Sequence, residues 1–291
     1  MATLSKVDER TRPGLFSEGG QLGNMPWWAL ILLATGLVLT YLILADPFYK
    51  DTFIFLIEGV KLTLRMTLAA FSFALIIGLL IGLARTSKNK IIFTLSTLYV
   101  ETARGIPFIV LMLYVAFVIV PAGIQAINAI GTWGLGSFVA DSLHQFFTRL
   151  SELSIRQVDM EWRAIVALSI GYGAYEAEVF RSGIQSIGRG QMEAARSLGM
   201  TYFQAMRFVI LPQAIRRILP PLGNDFISML KDSSLATVLA VREITQLGRL
   251  RRSSTFRVFE TFNVVSFLYL AMTLVLSAVV RVLEQRMKFE E

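Results

Sequence analysis

The 291-residue chain has no cysteine and a single histidine, His144. Disulfides, thiolate metal sites, cysteine nucleophiles and histidine-rich metal centres are therefore excluded. The missing cysteine leaves the redox compartment open. Charge is also scarce: Asp, Glu, Lys and Arg make up 17% of residues, against roughly 25% in soluble domains. Three motifs that announce nucleotide or hydrolytic chemistry are absent, namely G-x-x-x-x-G-K-[ST], H-E-x-x-H and G-x-S-x-G. What fills the chain is apolar, with 54% hydrophobic residues and a mean hydropathy of +0.59. A soluble core of this size cannot use that much apolar surface, so the excess needs lipid as its solvent. A soluble enzyme, a disordered chain and a nucleic-acid-binding domain are all disfavoured. The net charge of +7 reads instead as basic cytoplasmic loops.

Six stretches are long enough to cross a bilayer, which makes the expected fold an all-α integral membrane protein. Residues 27–45 are 19 uncharged residues, about 28 Å of helix, and read as a retained first span rather than a cleaved signal peptide. Uncharged runs follow at 66–84, 106–120 (closed by Pro121) and 261–280. Two weaker segments, 164–187 and 222–241, carry Glu176, Glu178 and Arg181, and Asp225, Lys231 and Asp232, respectively. Residues 1–26 are polar and lack a period, as expected of a cytoplasmic tail. Segment 121–162 reads as an external insertion with a helical stretch over 138–153; it contains His144, read as a solvated surface residue.

Loop charge orients these spans. Residues 85–90 carry three cations and no acid, and residues 188–221 carry a net +4, so both are placed in the cytoplasm with the two chain ends. Segment 121–163 is net −1 and falls outside. Residues 242–258 are net +4 and yet also fall outside by alternation. An acidic partner or a short re-entrant stretch would each account for that conflict.

Charge at membrane depth costs about 2.5–3.5 kcal/mol per residue, so the polar residues inside the spans need a reason. Asn224, Ser228, Lys231, Asp232 and Leu235 recur at three- or four-residue spacing and share one face, and Ser233 and Ser234 add hydroxyls. Lys231 and Asp232 offer a cation and an anion to a zwitterion; they equally fit an internal ion pair that binds nothing. Glu178 and Arg181 are three apart and read as a self-neutralised helix end, while Tyr172 and Glu176 share another face. Glu101 and Arg104, also three apart, precede Gly105-Ile106-Pro107, where a helix break is expected. Those two residues fit either a kinked helix lining a pathway or a paired interfacial anchor.

The loop 188–221 is the most informative segment. Good helix formers flank Gly199, and Ala195, Leu198, Tyr202, Met206 and Val209 form an apolar stripe across it. The glycine frees the chain to turn between two short helices, and Pro212, Pro220 and Pro221 punctuate the return to the membrane. Glu193-Ala194-Ala195-x3-Gly199-x9-Val209-x-Leu211-Pro212 resembles the EAA loop of ABC importer permeases, with Val209 replacing the usual Ile. Three further stretches resemble the polar amino acid uptake branch of the histidine, glutamine and arginine type. They are Tyr99-Val100-Glu101-x2-Arg104-Gly105-x-Pro107, Ala174-Tyr175-x-Ala177-Glu178-x-Phe180-Arg181-x-Gly183-Ile184, and Asn224-Asp225-Phe226-Ile227-x2-Leu230-Lys231-Asp232-x-Ser234-Leu235. The likeness covers residues 52–289; residues 1–50, with the span 27–45, and most of 121–160 are additions to it.

The resemblance implies a type I ABC importer permease fold in a bacterial cytoplasmic membrane. It implies an ATPase dimer docked on the loop through Glu193, Ala194, Ala195, Gly199, Leu211 and Pro212. It also implies a second permease subunit, an extracytoplasmic binding protein and a polar amino acid passing by alternating access. The implied substrate residues are Asn224, Ser228, Lys231, Asp232 and Ser233, with Glu101, Arg104, Pro107, Glu178 and Arg181 along the pathway. ATP and Mg would be held by the ATPase and no cofactor by this chain. The alternative is a stand-alone secondary transporter or channel with no ATPase partner.

Overall fold

Capping residues decide where the helices begin. The computed structural model describes residues 27–136 and 141–287, so the expected tail at 1–26 lies outside the described residues. Helix α1 is Trp27–Ala45. Asp46 then accepts from the Phe48 and Tyr49 amides at 2.7 and 3.1 Å and starts α2, Pro47–Ala84, with proline in the first turn where its missing N–H costs nothing. At 38 residues α2 is twice the length of the apolar run 66–84, which is only its second half. Asn89 caps α3, Lys90–Gly105, in the same way. The expected break follows: Ile106 and Pro107 are extended, and α4, Phe108–Tyr114, starts afresh.

Pro121 does not end the next span, contrary to expectation. A π turn, Val115–Ile119, joins α4 to α5, Val120–Gly136, and the helix passes through the proline. The wide turn has already shifted the hydrogen-bond ladder just before the residue that cannot donate. It also leaves the Ala116 carbonyl to accept from the buried Arg163 guanidinium at 3.4 Å. Arg163 further donates to Val158 and Ile155 carbonyls at 3.0 and 2.9 Å, so one side chain ties the returning loop to the turn. The insertion therefore shrinks to a hairpin closed by α6, Asp141–Ser151, which packs on α5 where Gly131 and Gly134 meet Ser151 and Phe147.

Helix α7, Met160–Gln185, is the centre of the molecule. Its contacts with α2 run in parallel order: Arg65 pairs with Glu161 at 2.6 Å, Ser169 donates to the Ala70 carbonyl at 3.2 Å, and Gly78 lies against Glu176. Ala70, Ala74, Gly78 and Gly82 recur every four residues and are all buried, giving α2 a small-residue stripe. In lipid there is no hydrophobic gain between apolar helices, so such close backbone approach supplies the packing energy.

The chain then forms α8, Arg189–Ser197, and α9, Tyr202–Ala205. The second loop helix was expected to end at the membrane. Instead, a π turn, Met206–Ile210, carries α9 directly into α10, Leu211–Asp232, and Pro212, Pro220 and Pro221 all lie within the resulting rod. Helix α10 runs antiparallel to α7, with Ile218 against Gly183 and Asp232 against Tyr172. A 3-10 segment, Ser233–Leu239, follows, so the expected span 222–241 is α-helical only to Asp232.

The basic stretch 242–258 contains α11, Ile244–Thr255, which lies across the first half of α2, Ile244 against Gly59. Glu243 is fully buried; it accepts from the Thr245 and Gln246 amides at 2.7 and 2.8 Å and from the Tyr269 hydroxyl at 2.8 Å. The Arg251 and Arg257 guanidinium groups lie over the Phe48 ring at 5.1 and 4.6 Å. Residues 59–82 of α2 are about 35 Å of helix, so α11 sits a bilayer's thickness from the end where α7 runs into α8. The final helix, α12, is Val258–Met287.

By length and composition four described helices can cross a membrane: Trp27–Ala45, Pro47–Ala84, Phe108–Gly136 and Val258–Gln285. Helices α7 and α10 are not among them, because their polar residues lower their hydropathy; α2 packs on both, α4 on α7 and α12 on α10. Gly78 tests this packing. Its added Cβ would lie 2.4 Å from the Glu176 Cβ, whereas Gly36 has nothing within 4 Å. Gly78→Leu should destabilise the protein by about 1–3 kcal/mol, read as a lowered thermal midpoint in detergent, with Gly36→Leu unchanged. Equal midpoints for both variants would contradict the α2–α7 contact.

Candidate functional site

Two polar regions meet along α7 and α10. The first is the face of α10 that carries Asn224, Ser228 and Lys231: Asn224 and Lys231 are exposed and Ser228 half-buried, all on the outside of the chain. Lys231 and Asp232 do not pair with one another. Asp232 turns toward α7 and accepts from the Tyr172 hydroxyl at 2.9 Å, and the Lys231 ammonium has no ion-pair partner among the described residues. Lys231 sits in the last turn of α10, where the helix dipole favours a cation. Ser233 lies off this face: it is fully buried and donates to the Leu230 carbonyl at 2.7 Å. The switch to 3-10 geometry at Ser233 turns it inward.

The second region is an ion network at the other end of α7. Arg85 donates to Glu178 at 2.7 Å and reaches Glu101 at 3.5 Å, and Glu178 also holds Arg181. Arg181 donates to Gln185 at 2.9 Å as well. The expected Glu178–Arg181 pair is thus present. The anchor pairing of Glu101 with Arg104 is not. Glu101 turns to Arg85, and the Arg104 guanidinium lies over the Tyr175 ring at 5.3 Å. Arg104, Tyr175, Glu178, Val179, Pro220, Pro221, Asn224 and Asp225 line a cleft of about 550 Å³. Pro107 stands at the break that lets α3 deliver Arg104 to this cleft while α4 turns away beside α7.

Sequence reasoning missed two contributors, and Glu176, read from the sequence as sharing a face with Tyr172, lies outside the cleft lining. Arg85 appeared only as a loop cation, yet its side chain is 9% exposed and it bridges two acids. Asp225 was seen as a charge in a span; its place seven residues before Asp232, on the same face, was the available signal. Glu176 is fully buried with neither carboxylate oxygen hydrogen-bonded.

The loop 188–221 forms a third surface. Gly199 has φ +85°, a left-handed conformation that ends α8 and is strained for any residue with a Cβ. Thr201 and Gln204 then build a reciprocal capping box for α9. Arg217 donates to the Ser186 carbonyl at 2.6 Å and fastens the rod to the end of α7. The expected apolar stripe splits: Ala195 packs inward, whereas Leu198 and Tyr202 join Phe203 and Phe208 on the exposed side. Glu193, Ala194, Leu211 and Pro212 are exposed as well.

Residues 74–289 match the family described as "binding-protein-dependent transport system inner membrane component". The glutamine transport system permease protein GlnP of Escherichia coli (strain K12) is 36% identical over 233 residues, 80% of this chain and 93% of that protein. The probable amino-acid permease protein YxeN of Bacillus subtilis (strain 168) is 34% identical over 240 residues, 82% and 94% of the two chains. Among solved structures, an amino acid ABC transporter with histidines is similar at 35% identity and TM-score 0.63, covering 82% of this chain and 95% of that one. The inward-facing MetNI methionine ABC transporter shares the fold at 21% identity and TM-score 0.57, covering 80% and 96%.

Arg85 is the tie that the site leans on. Arg85→Gln leaves Glu178 with one partner and Glu101 with none, and should cost about 2 kcal/mol or more in stability, measured by thermal unfolding. Arg85→Lys, which keeps the charge but only one reach, should fall between. A Gln variant as stable as the parent would contradict the network's structural role.

Proposed function

The chain belongs to the binding-protein-dependent transport system inner membrane components and is a permease subunit of an ABC importer, and we propose that its cargo is a polar amino acid carried along the exposed face of α10. The observation that carries this reading is where that face lies. Asn224, Ser228 and Lys231 face the outside of the chain, with the half-buried Asp225 and Asp232 round the helix from them. Charged groups on the outer surface of a bundle otherwise shielded by apolar helices need a cover other than lipid. A second permease subunit, identical or homologous, supplies it, with the pathway between the two. A stand-alone channel enclosed by one chain would keep these residues inside.

The substrate residues in this reading are Lys231 for the carboxylate, Asp232 for the ammonium, and Asn224 and Ser228 alongside. Ser233 acts only by supporting the helix end. The Tyr172–Asp232 hydrogen bond, rather than an ion pair with Lys231, is what the ammonium must loosen or share. Glu178, Arg181, Glu101 and Arg104 shape the pathway near the α8 end.

Leu198, Tyr202, Phe203 and Phe208 around Gly199 form an exposed apolar knob that fits a cleft in a cytoplasmic ATPase subunit, with Glu193 at its rim. From it the helix 202–232 leads without a non-helical joint to Lys231. Its length is about 46 Å, so a displacement of the knob by ATP-driven closure reaches the substrate face through one rod. ATP and Mg are held by the ATPase, and a binding protein delivers substrate on the opposite membrane face, the side of α11. The membrane is the bacterial inner membrane, with both chain ends cytoplasmic.

Two experiments test these assignments. Gly199→Val forces a branched residue into the left-handed turn, and Glu193→Lys reverses the charge at the knob's rim. Each should cut ATP-driven uptake while the chain remains folded in the membrane. Full uptake by both would contradict docking at this loop. Because the chain has no cysteine, single cysteines at Ser253 and Arg196 should react with impermeant thiol reagents from opposite faces. Reaction of both from one face would contradict the topology.

A further inference from the structure

Helix α10 has an apolar flank as well as a polar one. Leu219, Gly223 and Phe226 line a groove of about 390 Å³ together with Phe71 of α2 and Val280 and Leu283 of α12. At about 100° per residue this flank points away from Asn224, Ser228 and Lys231, so the groove lies off the face that a second subunit covers. The Phe226 ring meets Phe71 edge-on at 5.0 Å and walls the groove on the α2 side. Gly223 lets α12 approach, since a Cβ there would lie 2.7 Å from Val280 Cγ1. Ile218, just before the groove, packs on Gly183 near the end of α7, and Leu219 to Phe226 is about 10 Å of helix. The groove therefore sits in the leaflet on the α8 side. An apolar hollow at that depth stays dry and is filled by hydrocarbon.

The mouth of the groove is charged. Among the described residues that line it, Glu284 alone carries a charge. Arg281, one turn earlier on α12, is exposed. Arg257 and Glu260, at the same spacing, pair at 3.9 Å. Arg281 and Glu284 form no ion pair with each other or with another described residue. A cation and an anion at the end of an apolar groove complement a lipid headgroup that carries both signs. Phosphatidylglycerol would bring an anion to Glu284 and no cation. Phosphatidylcholine has a cation without an N–H to donate. Phosphatidylethanolamine has a phosphate and a primary ammonium with three donors, as a lysine side chain has.

We propose that the groove holds one phosphatidylethanolamine molecule of the α8-side leaflet, with an acyl chain between α2, α10 and α12, its ammonium on Glu284 and its phosphate on Arg281. Helix α10 is the rod between the exposed knob and the substrate face, so the chain lies against the element that has to move. Occupancy of the groove then biases the position of the rod, and uptake responds to the lipid. The site stands on the groove itself; the response of uptake rests on the permease reading.

The test uses the assembled permease–ATPase complex in detergent. Phosphatidylethanolamine, phosphatidylglycerol and phosphatidylcholine with identical chains are added in equal amounts, and bound lipid is counted by native mass spectrometry. The parent should retain phosphatidylethanolamine about tenfold over either of the others. Glu284→Gln should erase most of that preference while still holding lipid. Val279→Trp, at an exposed position on the groove wall, should lower retention of all three. In reconstituted vesicles, uptake by the parent should fall severalfold when phosphatidylcholine replaces phosphatidylethanolamine, and the fall should be smaller in Glu284→Gln. Equal retention of the three lipids by the parent, or an unchanged preference in Glu284→Gln, overturns the proposal. So does a disulfide between two copies carrying a single cysteine at Val279, which would make the groove a subunit interface. Glu284 lies near the end of α12 and is only half-buried, so its variant decides the matter even where Val279→Trp fails to assemble. Retention is read without transport, so its failure leaves the permease reading standing.

Discussion

A charged side chain at bilayer depth costs about 2.5–3.5 kcal/mol, and this chain places Glu176, Glu178, Arg181, Asp225, Lys231 and Asp232 on two adjacent helices. The architecture follows from that expense. Apolar α2 packs on both α7 and α10, α4 on α7 and α12 on α10, and the charges on α7 and α10 are dealt with in one of two ways. Near the α8 end they neutralise one another through Arg85 and Glu101. On α10 Asp232 turns to the Tyr172 hydroxyl of α7, while Lys231 stands on an exposed face that lipid cannot cover. Arg251 of α11 and Arg257 just beyond its end follow the same constraint, since both guanidinium groups lie over the Phe48 ring. Their position explains how a basic stretch is tolerated at the end of α2 away from α8.

Position within the site is set by backbone contact rather than by side-chain bulk. The small-residue stripe of α2 brings α7 close enough for Arg85, just past the end of α2, to reach Glu178 at 2.7 Å. The π turn between α4 and α5 gives up a regular ladder, and Arg163 uses the carbonyl released there to hold the start of α7. A second π turn lets α9 and α10 become one rod in spite of three prolines. Each irregularity sits where a functional element needs a direction that a regular helix would not give it.

Much of this was legible in the sequence. Uninterrupted apolar runs marked α1, α12 and the halves of α2 and α4–α5. Gly199 announced a left-handed turn, and Gly105-Ile106-Pro107 a break, because each rests on a local steric rule. The spacing of Asn224, Ser228 and Lys231 predicted a shared face, which is a property of helix geometry alone. What was not legible depended on neighbours distant in the chain. Pro121 looked like a stop because nothing in its surroundings announces a π turn. The partner of Glu101 is Arg85 rather than Arg104, and the choice between two nearby cations is made by the α2–α7 contact. Ser233 was expected among the substrate residues because it adjoins Lys231 and Asp232, yet it is fully buried at the change to 3-10 geometry.

The central claim is that one face of α10 lies in a watery pathway between subunits. The absence of cysteine allows a direct measurement. Single cysteines are placed at positions 222 to 232 of the assembled transporter, and their rates with a small charged thiol reagent are recorded with and without substrate. The account predicts fast reaction at Asn224, Ser228 and Lys231, slowed by a polar amino acid, and little reaction at the buried Leu222, Met229 and Leu230. Uniformly slow reaction across all of these positions, or fast reaction at the buried ones with no substrate protection at the other three, would contradict it.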